Sequence, residues 1–309
     1  MKIYLNKFLP GILFLCFLSF YELSGQNFRE LYTIIDYPVI PEIYSNLPEK
    51  VNETSGLIYY SGSLWTFNDS GGKPELYKIN KETGKIDQNI FLINDENRDW
   101  EDITQDDEYI YIGDFGNNRG NRKDLKIYKI AKKDISSKKK VDVKAEVIEF
   151  TYIDQTSFEI KNRKNNFDCE SLISFGDSLI IFTKNWVNGK TRMYKLPKVP
   201  GKYKLDPIDS FDVDGLVTGA DFNAKTKELI LLGYKDHLPF MFLFQGFNGQ
   251  SLNTSQVYRI NFRRMKNIQT EGIIWLNDET IVFSAEQTSE FPQTAFEFNI
   301  REVFELIEK

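Results

Sequence analysis

The chain has 309 residues, room for one large domain or two small ones, and its 41% hydrophobic and 27% charged residues exclude a disordered polymer. A formal charge of −6 without a basic stripe argues against a nucleic-acid partner. The 25 Phe and 16 Tyr favour packed sheets over helical bundles.

Residues 1–25 read as a signal peptide. Lys2 and Lys7 make a positive start, Phe8 to Tyr21 is apolar, and Leu23-Ser24-Gly25 brings small residues to a cleavage point before Gln26. The alternative, an uncleaved membrane anchor, asks for about 20 apolar residues, more than this run contains. A lipoprotein reading fails because Cys16 lies inside the apolar run. Losing Lys2, Lys7 and Glu22 moves the formal charge from −6 to −7. The remainder, 26–309, is then expected to be secreted or periplasmic, free of the membrane and monomeric. It keeps one cysteine, Cys169, so no disulfide forms within a molecule.

The first repeat unit runs from Glu53 to Gly84. It comprises strands at Gly56–Tyr60, Leu64–Phe67 and Glu75–Ile79, separated by Gly, Ser, Asn and Asp turns. Its strand start recurs as Ser55-Gly56-Leu57, Glu101-Asp102-Ile103, Glu170-Ser171-Leu172, Thr218-Gly219-Ala220 and Glu271-Gly272-Ile273, at intervals of 46, 69, 48 and 53 residues. Third strands read Leu-Tyr-Lys-Ile (76–79), Ile-Tyr-Lys-Ile (127–130) and Met-Tyr-Lys-Leu (193–196). Fourth strands are predicted at 85–93, 145–153, 208–213 and 256–262. The fifth unit lacks one, and Tyr32–Val39 is expected to supply it, closing the ring from the other end of the chain. Lys132–Lys144 and Asp154–Asn166 read as loops, and Glu302–Lys309 as a short helix.

Four-stranded units every 40 to 50 residues predict an all-β fold, a single β-propeller. Five blades are visible, with a sixth left open inside the 69-residue interval. A sandwich or two stacked sheets is the structural alternative.

In a propeller the loop entering each innermost strand sits at one mouth of the central channel. The residues before the small position are Ser55, Glu101, Glu170, Thr218 and Glu271; two residues earlier stand Glu53, Asp99, Asp168, Leu216 and Gln269. Second strands end in Asp69, Asp114, Lys184, Tyr234 and Glu286. Like charges gathered at one mouth repel unless a counter-charge joins them. Lys184 is the internal one, with Arg98 and Arg119 available from loops. A hard cation is the other solution, and oxygen-only donors suit Ca²⁺ or Mg²⁺. Glu53, Glu101, Glu170 and Glu271 are therefore expected as metal ligands. Asp69, Asp114, Arg119, Lys184, Tyr234 and Glu286 are expected as ligand contacts. The competing reading is that the acids merely cap strands and loops.

Several chemistries are excluded. One histidine, His237, cannot build a histidine metal cluster, and no Gly-x-Ser-x-Gly elbow or phosphate-cradling Gly-x-x-x-x-Gly-Lys loop occurs. Cys169 lies between Asp168 and Glu170, which disfavours a thiolate. Two loops are longer than turns require, Asn68–Gly72 and Gly113–Arg122. They read either as ordinary long turns or as an anion- or sugar-binding rim with Arg119 or Arg122 as its cationic finger. Asp212-Val213-Asp214-Gly215 has only the start of a calcium loop.

Glu53-Thr-Ser-Gly-Leu57, Asn68-Asp69, Leu76-Tyr77 and Asp99-Trp-Glu-Asp-Ile103 resemble the SdiA-regulated and phytase-like secreted propellers, over roughly residues 50 to 300. The resemblance implies an exported propeller of a Gram-negative bacterium with calcium at its acidic mouth. Such propellers serve as hydrolases, lactonases and binding proteins alike. The expected function is an exported binding propeller whose mouth holds calcium and recognises a small or extracellular ligand. The alternative is a metal-dependent hydrolase of phosphoesters or lactones, with Glu101, Glu170 or Glu271 as base.

Overall fold

The structure, a computed structural model, describes residues 32–93 and 95–306. The predicted signal peptide and the last three residues of the predicted C-terminal helix lie outside that range; within it, the helix is α1 (Ile300–Glu305). Among the described residues no helix is long and apolar enough to cross a membrane.

Two strands precede the first blade, β1 (Thr33–Asp36) and β2 (Glu42–Asn46). Blade one is β3 (Thr54–Tyr60), β4 (Ser63–Asn68), β5 (Glu75–Ile79) and β6 (Ile86–Leu92). Blade two is β7 (Trp100–Gln105), β8 (Tyr109–Asp114), β9 (Leu125–Ala131) and, after the short β10 (Lys140–Val143), β11 (Glu146–Tyr152). Blade three is β12 (Asp168–Phe175), β13 (Ser178–Lys184), β14 (Lys190–Pro197) and, after β15 (Gly201–Leu205), β16 (Asp209–Asp212). Blade four is β17 (Leu216–Asn223), β18 (Glu228–Lys235), β19 (Leu238–Gln245) and β20 (Gln256–Asn261). Blade five is β21 (Thr270–Trp275), β22 (Thr280–Ala285) and β23 (Thr294–Asn299), completed by β2 antiparallel to β23.

The inner strands β3, β7, β12, β17 and β21 contact one another in that order and back to β3, a closed five-bladed ring. The core is split accordingly into five apolar clusters, one at each blade interface. Thus Ile110 and Ile112 of β8 pack towards blade one while Tyr111 between them packs towards blade three. This two-sided burial is why the strands are nearly continuous apolar runs instead of alternating ones.

Two expectations are corrected. The strand that closes blade five is β2, not Tyr32–Val39; β1 instead lies parallel on β20 at the outer edge of blade four. Pro38 and Pro41 interrupt the run, so Ile35 and Tyr37 reach the interface of blades four and five while Tyr44 and Leu47 reach that of blades five and one. Second, Lys132–Lys144 is not all loop. Its end is β10, which pairs parallel with β6, just as β15 pairs parallel with β11. Blades one, two and four so gain a fifth outer strand, which covers an edge that would otherwise offer free backbone groups. The 69-residue interval therefore holds strand capping and loops, not a sixth blade. Ile34, Val39, Ile40 and Ile43 are exposed on the segment that carries β1 and β2.

Candidate metal centre and ligand cavity at the hub

All five inner strands carry a bulge at the same place. One extra residue enters the pairing between Thr54 and Leu57, Trp100 and Asp102, Cys169 and Ser171, Val217 and Gly219, and Thr270 and Ile273. A bulge re-aims a side chain out of the strand's alternation. It falls on the column Ser55, Glu101, Glu170, Thr218 and Glu271. The two hydroxyls are absorbed by the fold: Ser55 donates to the Glu101 carbonyl and Thr218 to that of Thr270, at 2.7 Å for the latter. These bonds fasten blade one to two and blade four to five. The three glutamates instead line a cavity of about 360 Å³ at the mouth, with Asp69, Lys184, Trp186, Tyr234, His237 and Gln269.

The loop before β7 builds the sharpest feature. Trp100 is fully buried between blades one and two, edge-on to Phe67 at 5.3 Å, and its indole N–H donates to the Glu96 carbonyl at 3.1 Å. With Trp100 anchored, Asp99 and Glu101 on either side are turned together. Asn97 donates to the carbonyls of Asn68 and Asp69, both at 2.8 Å, and so holds blade one's Asp69 against them. Asp69, Asp99 and Glu101 each present a carboxylate oxygen within 4.8 Å of the other two. Gly116 packs on two of the three, Glu101 and Asp99. A Cβ there would overlap Glu101 Oε1 and lie 2.6 Å from Asp99 Cγ.

Supporting groups lie behind. Asp114 is buried, ion-paired with Arg122 at 2.8 Å, and accepts the Asp99 backbone N–H at 3.2 Å. The same guanidinium donates to the Gly116 carbonyl at 2.9 Å, which fixes the Gly116 backbone beside the acids. Asp168 accepts the Trp186 indole N–H at 2.6 Å. Lys184 is buried, 3.1 Å from Glu170, and stands over the rings of Trp186 and Tyr234 at 5.0 and 5.6 Å.

The electrostatics are those of too many acids for one lysine. Burial pushes Asp69 up to about 6 and, with Asp69 and Asp168 adding repulsion, Asp99 to about 7. Burial likewise holds Glu271 at about 7 and, with help from Glu271, Glu286 at about 9. Glu101 is raised well above the usual carboxylate range by burial and then by Glu170. Burial pulls the Lys184 ammonium down, but Glu170 and its neighbours outweigh this and keep it charged. One of the Glu170 oxygens, Oε1, is buried in the mouth and has no hydrogen-bond partner among the described residues. Two carboxylates at such separations repel by roughly 3 kcal/mol at an effective dielectric constant of about 20. Protons or a cation must relieve that.

Of the residues singled out from sequence, Asp69, Glu101, Glu170, Lys184, Tyr234 and Glu271 share the mouth cavity. Glu286 sits beside Glu271 and Asp69 without lining it. Glu53 is exposed and outside the trio, its carbonyl accepting the Asp69 N–H at 2.9 Å. Asp114 faces Arg122, and Arg119 lines a neighbouring cavity. His237 is exposed, in a two-residue hairpin turn with Asp236, both at positive φ, at the cavity rim. Asp99 stood in an aligned column of acids; Trp186, Asn118 and Arg163 belong to loops with no repeat to mark them.

These features define the fold class: a five-bladed β-propeller with an acidic mouth. No family model matches the chain, and no curated protein matches it. Among solved structures it is similar to a hypothetical protein from Leishmania major, with 10% identity over 84% of this chain and 90% of that one and a TM-score of 0.47. It is also similar to a chain of the nidogen/laminin complex (11% identity, 81% and 77% covered, TM-score 0.44) and to the Dos1 propeller (10%, 81% and 55%, 0.39). Likenesses this distant carry nothing about ligand or chemistry. The comparisons do not confirm the SdiA-regulated or phytase-like resemblance, so the functional reading rests on the mouth itself.

Proposed function

We propose that this chain is an exported binding propeller that holds a divalent cation, Ca²⁺, between Asp69, Asp99 and Glu101 and takes a small extracellular ligand into the adjoining cavity. The observation that carries the reading is the convergence of three carboxylate oxygens within 4.8 Å of one another, two of them, from Asp99 and Glu101, packed against a glycine whose missing side chain lets them approach. The unpartnered, buried Glu170 Oε1 in the same mouth supports it. An all-oxygen donor set selects a hard cation. Glu53, Glu170 and Glu271 then act around the cation's surroundings and not as its nearest donors.

The test is thermal unfolding of chelator-treated protein with and without CaCl₂. Calcium at about 100 times its dissociation constant is expected to add about 2.7 kcal/mol, raising Tm by roughly 5 to 10 °C. Asp99→Asn is expected to lose most of the shift. An unchanged Tm in the parent protein would overturn the cation reading.

A second reading, metal-dependent hydrolysis of a phosphoester or lactone, is favoured by one observation. Burial holds Glu271 at about 7, inside the cavity, where a carboxyl can both take and return a proton near neutral pH. Turnover of such substrates, abolished by Glu271→Gln with calcium binding retained, would establish it over binding alone.

A further inference from the structure

We propose that a second cavity beside the trio is an oxyanion site, receiving a carboxylate or phosphate group of the mouth's ligand. This rests on the ligand-binding reading above and names the ligand's chemistry. The cavity has a volume of about 440 Å³, enough for a sugar acid or a small phosphate ester. It shares Asn118 and Arg163 with the mouth, and its wall includes Asp99 of the trio.

Four arginines surround it in a chain that is acidic overall. Two are committed. Arg122 is buried on Asp114 and backbone carbonyls, and Arg98 pairs with Asp124. Arg119 and Arg163 are exposed and have no carboxylate partner among the described residues. They come from two loops stitched together: the Lys161 N–H donates to the Arg119 carbonyl at 2.9 Å and the Arg163 N–H to the Asn118 carbonyl at 2.8 Å. Arg163 is held at φ 52°, a left-handed conformation that costs a non-glycine residue energy. Its guanidinium lies 5.1 Å from the centre of the Trp186 ring, and that ring is fixed by its bond to Asp168. A guanidinium already stacked and aimed loses little freedom when it grips an oxyanion through its fork of N–H donors.

The experiment is calorimetric titration of chelator-treated, desalted protein with inorganic phosphate and, separately, with galacturonate. Saturable binding of either is expected, weakened at least about tenfold by Arg163→Gln or Arg119→Gln and abolished in the double variant. Binding of phosphate alone would identify a phosphorylated ligand and binding of galacturonate alone an acidic sugar; both support the site. No saturable binding of either up to tens of millimolar, or equal affinity in the double variant, would overturn it. The calcium-dependent Tm shift should survive in the double variant. Anion binding without any calcium effect would remove the cation reading and leave this one standing.

Discussion

At Gly116 the missing side chain shapes the acidic mouth. Arg122 pins the backbone of this residue where even one methyl group would enter the space shared by Glu101 and Asp99. Gly116→Ala is therefore expected to fold, because the carboxylates are flexible side-chain ends and can retreat at a cost of about 1 to 3 kcal/mol. It should also lose at least half of the calcium-dependent rise in Tm, read by the same unfolding scans with and without CaCl₂. A full calcium response in this variant would mean that the trio's spacing is not what holds the ion. The sequence showed Gly116 only as one of several glycines in an over-long loop. Nothing local reports that it packs on Asp99 and Glu101, or that Asn97 ties blade one's Asp69 to the same loop across 28 residues. Glu101, Glu170 and Glu271 were legible for a different reason: the bulge that aims them recurs at one place in every blade, and a recurring backbone feature leaves a column in the repeats.

Elements were legible wherever the repeat supplied several examples. The Tyr-Lys strands match β5, β9 and β14, and the apolar second strands match β4, β8, β13, β18 and β22. Unrepeated strands are not legible: the blade-closing strand is β2 where the pattern points to the segment of β1, and the lysines leading into β10 look like a solvated run although the segment pairs with β6. Both are edge strands, whose pairing is decided by what remains uncovered and not by their own composition. The small residue after each bulge was legible as a pattern but not as a reason. At Gly272 a Cβ would lie 2.8 Å from the backbone nitrogen of Leu57, and at Gly56 one would lie 2.6 Å from that of Ile103. Glycine at these positions lets inner strands approach across the hub. Since the obstacle is backbone, which cannot step aside, Gly272→Val is expected to destabilise the fold by about 3 kcal/mol or more in denaturant titrations. Gly72→Ala, with no atom nearer than 3.8 Å and ordinary backbone angles, serves as the control and should stay within about 0.5 kcal/mol. Equal effects at the two sites would mean the hub is looser than its geometry implies.

For the whole molecule, the acids at the mouth couple folding to pH in a direction opposite to that of most proteins. Asp69, Asp99, Glu271 and Glu286 titrate at about 6, 7, 7 and 9 in the folded chain, all above the ordinary carboxylate range of about 4 that they recover on unfolding. Between those limits the folded state binds more protons than the unfolded one, so stability falls as pH rises. Elsewhere the lowered groups, such as Asp106 at about 2 beside Lys198, contribute stability that is complete above about pH 4 and therefore constant across this window. Cation-free protein is thus expected to melt roughly 5 °C or more lower at pH 8 than at pH 5. On the proposed cation reading, calcium would replace the protons that the acids otherwise need, so saturating CaCl₂ should reduce or reverse that difference, with its largest effect at the alkaline end. Two series of melting curves across this range, one with the ion and one without, measure both terms. Parallel series would show that calcium acts away from the mouth. Convergence towards low pH and divergence above neutrality would show that protons and the cation compete for the same oxygens.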